Sequence, residues 1–183
     1  MFAELLERLA LALDRAGLPY MVIGGQAVLL YGEPRLTRDI DITLGVDIDR
    51  LGDLIALLPA LRLQPLVETE TFTRRTMVLP CSEPQTGIRV DFIFSFTPYE
   101  QQAIARSRIV AMGAAPVRFA SVEDLIVHKM LAGRPRDIED VKNVLLKQPH
   151  ADLVYLRHWL DQFADALQQP LRERFDQLLK ELA

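Results

Sequence analysis

Several features are scarce or absent in this 183-residue chain, and each absence excludes a class of protein. Its one cysteine, Cys81, excludes an internal disulfide, favours a reducing cytoplasm and is expected to pack as a small hydrophobe. The formal net charge of −4 gives no overall basic field that would gather nucleic acid. No apolar run approaches a membrane span, and charged residues near the start argue against a secretory signal. We therefore expect a folded cytoplasmic protein without a membrane partner.

The chain does contain a regular succession of strand and helix patterns. Short apolar and β-branched runs alternate with apolar residues at helical spacing, and only helical patterns follow Ser121. We predict strands over 20–23, 39–44, 71–79, 88–94, 108–112 and 117–119, and helices over 2–16, 26–31, 51–61, 98–107, 121–132, 135–147, 152–167 and 170–182.

This order of elements predicts an α/β (α+β) fold, in which a mixed β-sheet is flanked by helices and followed by a C-terminal helical part. Only helical patterns follow Ser121, so we assign residues 1–120 to a sheet domain and residues 121–183 to the helical part.

Two glycines and three aspartates form the most informative pattern. Gly24 and Gly25 follow an apolar strand at a strand-to-helix turn, where missing side chains let phosphate oxygens approach backbone N–H groups. Asp39 and Asp41 alternate with apolar residues on the next strand, so their carboxylates leave the same face. Asp91 lies between two hydrophobic residues of a later strand and would add a third carboxylate. Each piece alone is common in loops and turns, but their combination in this order favours a functional site.

Three converging carboxylates require a compensating cation. Two unit charges about 4 Å apart repel by roughly 4 kcal/mol at an effective dielectric near 20, so a carboxyl group is protonated or a divalent ion lies between them. Magnesium prefers such hard oxygen ligands and often shares its shell with phosphates. We therefore predict that Asp39, Asp41 and Asp91 bind Mg²⁺, as two ions with a bound nucleoside triphosphate (NTP). Asp39 and Asp41 would bridge the ions, while Asp91 orients or deprotonates an incoming hydroxyl.

Two arginines lie between the glycine pair and the first acidic strand, where a guanidinium could meet the γ-phosphate. Arg38 is the stronger candidate and Arg35 the weaker. Together with Gly24 and Gly25, Arg38 is therefore a predicted nucleotide-binding residue.

In the helical part, two charged residues lie on otherwise apolar helix faces. Lys129 is at the centre of one apolar stripe, and Asp137 lies on the stripe of the next helix, in its first turn. A buried ammonium needs an anionic partner, so one interpretation is a structural Lys129–Asp137 ion pair. The other is that Lys129 reaches the triphosphate. We include Lys129 and Asp137 among the predicted nucleotide-binding residues and expect the helical part to form one wall of the active-site cleft.

The motifs resemble a known signature. The run Ile23-Gly24-Gly25, followed by Asp39-Ile40-Asp41-Ile42 and Val90-Asp91-Phe92, is similar to that of the polymerase-beta-type nucleotidyltransferase superfamily. The resemblance implies a nucleotidyltransferase-like mixed sheet with the first two aspartates on one strand and the third on its neighbour. It also implies Mg²⁺-dependent transfer of a nucleoside monophosphate from an NTP to a hydroxyl.

A narrower resemblance rests on the segment Arg-Leu-Thr-Arg-Asp-Ile-Asp, residues 35–41, and on Lys129, Asp137 and Asp140. These residues look most like the AbiE-type toxin nucleotidyltransferases and their uncharacterised bacterial relatives. That resemblance implies a tRNA-modifying toxin with a cognate antitoxin. Two alternatives stay open: an antibiotic nucleotidyltransferase of the aminoglycoside type, and a non-catalytic nucleotide-binding or interaction module. The presence of all three carboxylates argues against the last.

Overall fold

A computed structural model of the chain describes residues 1–182, which form two compact units. The sheet unit contains residues 1–26 and 37–120, and the helical unit contains residues 27–36 and those from 121 onward. The helical unit thus includes a segment, 27–36, that the sequence placed in the sheet domain. The physical reason is packing, since Val28 of this segment is buried and Gly32 lies against Val144.

The sheet unit contains one mixed sheet. Within residues 1–182 its strands are β1 (Tyr20–Ile23), β2 (Asp39–Leu44), β3 (Gln64–Pro65), β4 (Val78–Ser82), β5 (Arg89–Phe94), β6 (Arg108–Met112) and β7 (Ala115–Phe119). Their order across the sheet is β3-β4-β5-β2-β1-β7-β6. β2 lies at the centre, antiparallel to β1 and parallel to β5. The predicted mixed α/β fold is confirmed.

Helices accompany both units. Those described within residues 1–182 are α1 (Phe2–Arg15), α2 (Gly24–Tyr31), α3 (Leu51–Leu61), α4 (Thr69–Thr76), α5 (Pro98–Ala105), α6 (Val122–Ala132), α7 (Pro135–Lys147), α8 (Leu153–Leu167) and α9 (Leu171–Leu182), with a 3-10 turn at Ile48–Arg50. In the sheet unit α1 packs against β7 and α3, and in the helical unit α6 packs against α7 and α8. None of the helices within residues 1–182 is long and apolar enough to cross a membrane.

The alternation of residues along β2 and β5 separates a core face from a polar face. Ile40 and Ile42 of β2 and Val90 and Phe92 of β5 are fully buried. The residues between them, which include the three aspartates, point to the opposite face because successive side chains of a strand alternate. The buried face therefore fixes the register that sets the position of the acidic residues.

The predicted strand at 71–79 is wrong, because residues Thr69–Thr76 form α4 and the strand begins only at Val78. The carboxylate of Glu68 caps this helix, accepting hydrogen bonds from the backbone N–H of Glu70 at 3.0 Å and of Thr71 at 2.8 Å. Several threonines favoured a strand in the sequence. The cap satisfies the N–H groups of the first helical turn and so stabilises the helix instead.

Two phenylalanines of the sheet unit provide a matched test of this core. Phe92 is 0% exposed whereas Phe96 is 57% exposed, so Phe92→Ala should lower the free energy of unfolding by about 3–5 kcal/mol and Phe96→Ala by less than about 0.5 kcal/mol. Urea unfolding followed by circular dichroism measures both. Equal losses in the two variants would contradict the burial of Phe92 in the core.

Candidate functional site

The register of the sheet places the three predicted aspartates side by side. In the parallel pairing of β2 with β5, Asp41 lies opposite Asp91, and Asp39 lies opposite Arg89. Neighbouring strands are about 4.8 Å apart, so these four side chains leave adjacent positions on one face. We call Asp39, Asp41, Arg89 and Asp91 the acid patch.

Gly24 brings bare backbone directly against the acid patch. Its φ is +63°, and a Cβ built on it would lie 2.9 Å from Cγ of Asp41 and closer still to Oδ2. The preceding residue, Ile23, is the register partner of Asp41 at the end of β1. The backbone conformation and the close approach of the carboxylate both exclude a side chain here.

Gly25 is required for a different reason. A Cβ on Gly25 would lie 2.9 Å from Cβ of Thr37 and closer to its hydroxyl oxygen. The Thr37 hydroxyl donates to the carbonyl oxygen of Asp39 at 3.5 Å, and the side-chain amide of Gln26 donates to the same oxygen at 3.4 Å. Gln26 is a buried polar residue that the sequence analysis did not single out, although its position directly after the glycine pair was a usable signal. These contacts hold the first residue of β2.

Arg89, which the sequence analysis also missed, is the cation of the acid patch. Its Nε donates to Oδ1 of Asp91 at 2.7 Å, and the Arg89 side chain is 52% exposed. The hydrogen bond to Asp91 raises the pKa of Arg89; partial burial opposes this effect, and the negative charges of Asp91, Asp39 and Asp41 add to it. The usable signal was a basic residue two positions before a candidate ligand, because such residues share a strand face.

The donor set fits a divalent cation of the magnesium type. All three acids offer hard carboxylate oxygens, and three carboxylates against one guanidinium leave an excess of negative charge. The carboxylates are not already converged, since in residues 1–182 no three acidic, histidine or cysteine side chains surround a common metal position. Mutual repulsion explains this arrangement, and Asp91 turns to Arg89 instead.

Accessibility differs along the acid patch. Asp39 and the neighbouring Arg38 are exposed, whereas Asp41 and Asp91 are partly buried. A ligand would therefore meet Asp39 and Arg38 from solvent and Asp41 at the glycine turn.

Cys81 lies on β4, on the sheet face opposite the acid patch, and is a packing residue as the sequence predicted. It is buried, unoxidised and the register partner of Val90. Burial, with a smaller contribution from the negative charge of Asp91, raises the pKa of the Cys81 thiol to about 12. A protonated, inaccessible thiol is not a nucleophile, so Cys81 is a packing residue.

In the helical unit, Lys129 is buried between two carboxylates. Its Nζ donates to Oδ1 of Asp137 at 2.7 Å and lies 2.9 Å from Oδ2 of Asp140, with 8% of the side chain exposed. Arg35 makes two hydrogen bonds of 3.0 Å to Asp140, and Nε of Arg134 donates to Asp137 at 2.6 Å. We call these five residues the buried charge cluster.

The buried charge cluster contains the ion pair that the first interpretation of Lys129 predicted. Burial acts to raise the pKa of Asp137, but hydrogen bonds from Arg134 and Lys129, with their positive charges, lower it below its ordinary value. The second interpretation, contact of Lys129 and Asp137 with a nucleotide, stays a prediction, as does a cleft wall formed by the helical part.

The fold is that of the nucleotidyltransferases of the polymerase-beta-like type. The sequence profile of the nucleotidyl transferase AbiEii toxin family, from type IV toxin–antitoxin systems, matches residues 4–182. The chain belongs to this family, which confirms the resemblance found in the sequence. Membership establishes nucleotidyl transfer as its activity and implies an NTP substrate, an antitoxin partner and, as is general for such enzymes, divalent metal ions.

Solved structures of related fold agree with this membership. The antibiotic-resistance factor ANT(2'')-Ia is 20% identical with a TM-score of 0.63, covering 91% of this chain and 95% of that one. An antigenic nucleotidyltransferase-like protein from Paracoccidioides brasiliensis is 17% identical with a TM-score of 0.56, covering 97% and 91%. The lincomycin-bound lincosamide antibiotic adenylyltransferase LnuA is 17% identical with a TM-score of 0.51, covering 77% and 94%. At these identities the likeness shows the fold alone. None of the curated proteins matches the chain.

Substitution of Gly24 tests the close approach of backbone to Asp41. Gly24→Ala should lower the free energy of unfolding by about 2–5 kcal/mol for two reasons. The alanine would have to adopt the left-handed backbone conformation, and its Cβ would overlap the carboxylate of Asp41. Urea unfolding of the variant measures the loss.

Two glycines serve as controls for Gly24. Gly17 also has a positive φ, +60°, but a Cβ there meets nothing within 4 Å, so Gly17→Ala should cost only about 1–2 kcal/mol. Gly52, in α3, has open space and should gain up to about 1 kcal/mol as Ala. A Gly24→Ala loss no larger than that of Gly17→Ala would contradict the proposed contact.

Removal of the Lys129 charge tests the buried charge cluster. Lys129→Met should cost about 3–5 kcal/mol, because two buried carboxylates lose a shared cation. Lys142→Met is the matched control and should change stability little, since the Lys142–Glu181 pair is largely exposed.

Because the pKa of Asp137 is lowered in the folded state, the contribution of Asp137 to stability is present above about pH 4 and lost as pH falls further. The difference between wild type and Lys129→Met should therefore narrow below about pH 4, and a constant difference would contradict the role of Asp137.

Proposed function

We propose that this protein is a Mg²⁺-dependent toxin that transfers a nucleoside monophosphate from an NTP to a hydroxyl of tRNA. The register of Asp41 with Asp91, beside the bare backbone of Gly24, is the observation that carries the proposal. It brings two carboxylates and an open turn to one place, which is what binding of a metal–triphosphate complex requires.

We assign a separate role to each aspartate of the acid patch. Asp39 and Asp41 would hold two Mg²⁺ ions, and Asp91 would be a third ligand that also accepts the proton of the incoming hydroxyl. The bound ions would supply positive charge to the triphosphate and to the attacking oxygen. The hydroxyl oxygen bonds to the α-phosphorus as the bond to the leaving pyrophosphate breaks. Backbone N–H groups at Gly24 and Gly25 and the guanidinium of Arg38 contact the phosphates, and Lys129 and Asp137 stay predicted nucleotide-binding residues.

The choice of tRNA rests on family membership, because the AbiEii proteins are toxins of toxin–antitoxin systems. A toxin must modify a cellular molecule that growth requires, and tRNA ends carry free hydroxyls. We also place the protein in the cytoplasm, where NTPs and tRNA are found, and propose ATP among its substrates. A cognate antitoxin protein would then be its partner.

A second candidate function is antibiotic modification. Two of the structures with a similar fold, ANT(2'')-Ia and LnuA, are an antibiotic-resistance factor and an antibiotic adenylyltransferase. The net charge of −4 favours a cationic acceptor such as an aminoglycoside over a polyanion.

Transfer assays with matched variants test the proposal. Wild-type protein incubated with labelled NTPs, Mg²⁺ and total tRNA should label the tRNA, and Asp91→Asn should reduce the rate by about 10²–10⁴-fold, since it loses the proton acceptor. Asp53→Asn is the control, because Asp53 is an exposed helix residue paired with Arg50, and it should retain the wild-type rate. Equal rates for wild type and Asp91→Asn would contradict the role of the acid patch.

The acceptor is decided by parallel arms of the same assay. Labelling of aminoglycosides or lincosamides without labelling of tRNA, together with resistance instead of growth arrest, would establish the second candidate. NTP binding by calorimetry without transfer to tRNA, aminoglycosides or lincosamides would contradict both candidate acceptors.

A further inference from the structure

Arg89 occupies a particular place in the acid patch. It precedes Asp91 by two residues on β5, so both side chains leave the same face, and its register partner on β2 is Asp39. The guanidinium therefore starts from a position next to two of the three carboxylates, and it bonds one of them at 2.7 Å.

The ion pair is neither buried nor fixed by packing. Arg89 is 52% exposed and Asp91 18% exposed, so the guanidinium can leave without opening the core. By contrast, the guanidinium of Arg35 in the buried charge cluster is 21% exposed and bonds both oxygens of Asp140. Exposed single-point ion pairs contribute little to stability, so the Arg89–Asp91 pair needs a different explanation from structural support.

Electrostatics supplies that explanation. Three neighbouring carboxylates are costly without a cation, and Arg89 places a guanidinium beside two of them. A carboxylate oxygen that accepts a hydrogen bond from a guanidinium is a weaker ligand for a metal ion, and the positive charge repels a second cation.

We propose that Arg89 is the resident counter-ion of the acid patch, which leaves Asp91 when a divalent cation binds and so limits the metal affinity of the free protein. The inference rests on the proposed metal-dependent function of the same site. Arg89 is in this sense a positioning residue, since it holds Asp91 away from the other two acids until the metal ion binds.

Release of Arg89 from Asp91 would affect the order in which metal ions and NTP bind. A guanidinium released from Asp91 stays on the open face, where the oxygens of a triphosphate would be its next anionic partner. Metal ions would therefore bind more readily together with NTP than alone, because the phosphates compensate the charge of Arg89.

Direct Mn²⁺ binding to the full-length protein tests the inference without any turnover. Mn²⁺ is titrated into the protein at low ionic strength, and free ion is read by electron paramagnetic resonance. Arg89→Gln should bind Mn²⁺ about tenfold more tightly than wild type, as Coulomb's law gives for a unit charge within one or two strand spacings of a doubly charged ion in water. The gain should shrink in about 1 M salt, where screening is strong.

Two arginine variants separate charge from other effects. Arg89→Lys keeps a positive charge two residues before Asp91 and should stay close to wild-type affinity. Arg75→Gln removes an exposed guanidinium from α4 in the same unit, where it lies 6.0 Å from the ring centre of Phe72, and should leave Mn²⁺ affinity unchanged. Thermal unfolding in a chelator checks that each variant is folded, and Arg89→Gln should gain more than wild type in melting temperature when Mn²⁺ is added.

The Asp41→Asn variant distinguishes failure of the counter-ion role of Arg89 from failure of the metal site itself. If wild type binds Mn²⁺, Asp41→Asn loses it, and Arg89→Gln binds no more tightly than wild type, the counter-ion role is overturned while the metal site stands. If wild type binds no Mn²⁺, or Asp41→Asn binds it unchanged, the proposed metal site fails and the role of Arg89 fails with it.

Discussion

Repulsion between like charges on two neighbouring parallel strands is the constraint on which the site depends. Hydrophobic residues on the opposite face of β2 and β5 fix the register, so Asp41 and Asp91 stay adjacent whatever their mutual repulsion costs. Core packing thus holds a polar arrangement that would not form by itself. The neighbouring features are a glycine turn without side chains and an exposed guanidinium that pairs with Asp91.

The two units treat charge in opposite ways. In the helical unit, Lys129 and its carboxylate partners are buried, close together and matched by further arginines. Such a cluster is strongly destabilised by loss of one member but has little remaining affinity for an added ion. In the sheet unit, the acid patch is accessible and retains an excess of negative charge. This difference favours the acid patch over the buried charge cluster as the proposed metal site.

Much of the fold and part of the candidate site could be predicted from the sequence, for identifiable reasons. Strand alternation around Asp39, Asp41 and Asp91 encodes which face each side chain takes, and the apolar stripe around Lys129 encodes its burial. The failures have different causes, because some of the missed contacts are local and others join distant parts of the chain. The strand predicted at 71–79 ignored a cap formed by Glu68, a residue type that is uncommon in that role. Gln26 was missed because the carbonyl oxygen that it bonds belongs to Asp39 of β2. Arg89 was missed although its partner, Asp91, lies two residues further along the same strand.

The single thiol of the chain offers a way to observe the sheet itself. Cys81 is paired with Val90 in the register that also holds Asp91, and its high pKa and burial leave almost no thiolate in the folded protein. Alkylating reagents can therefore reach it only when β4 separates from its surroundings. The rate of alkylation of Cys81 therefore measures how often β4 separates from β5, and the measurement needs no engineered label.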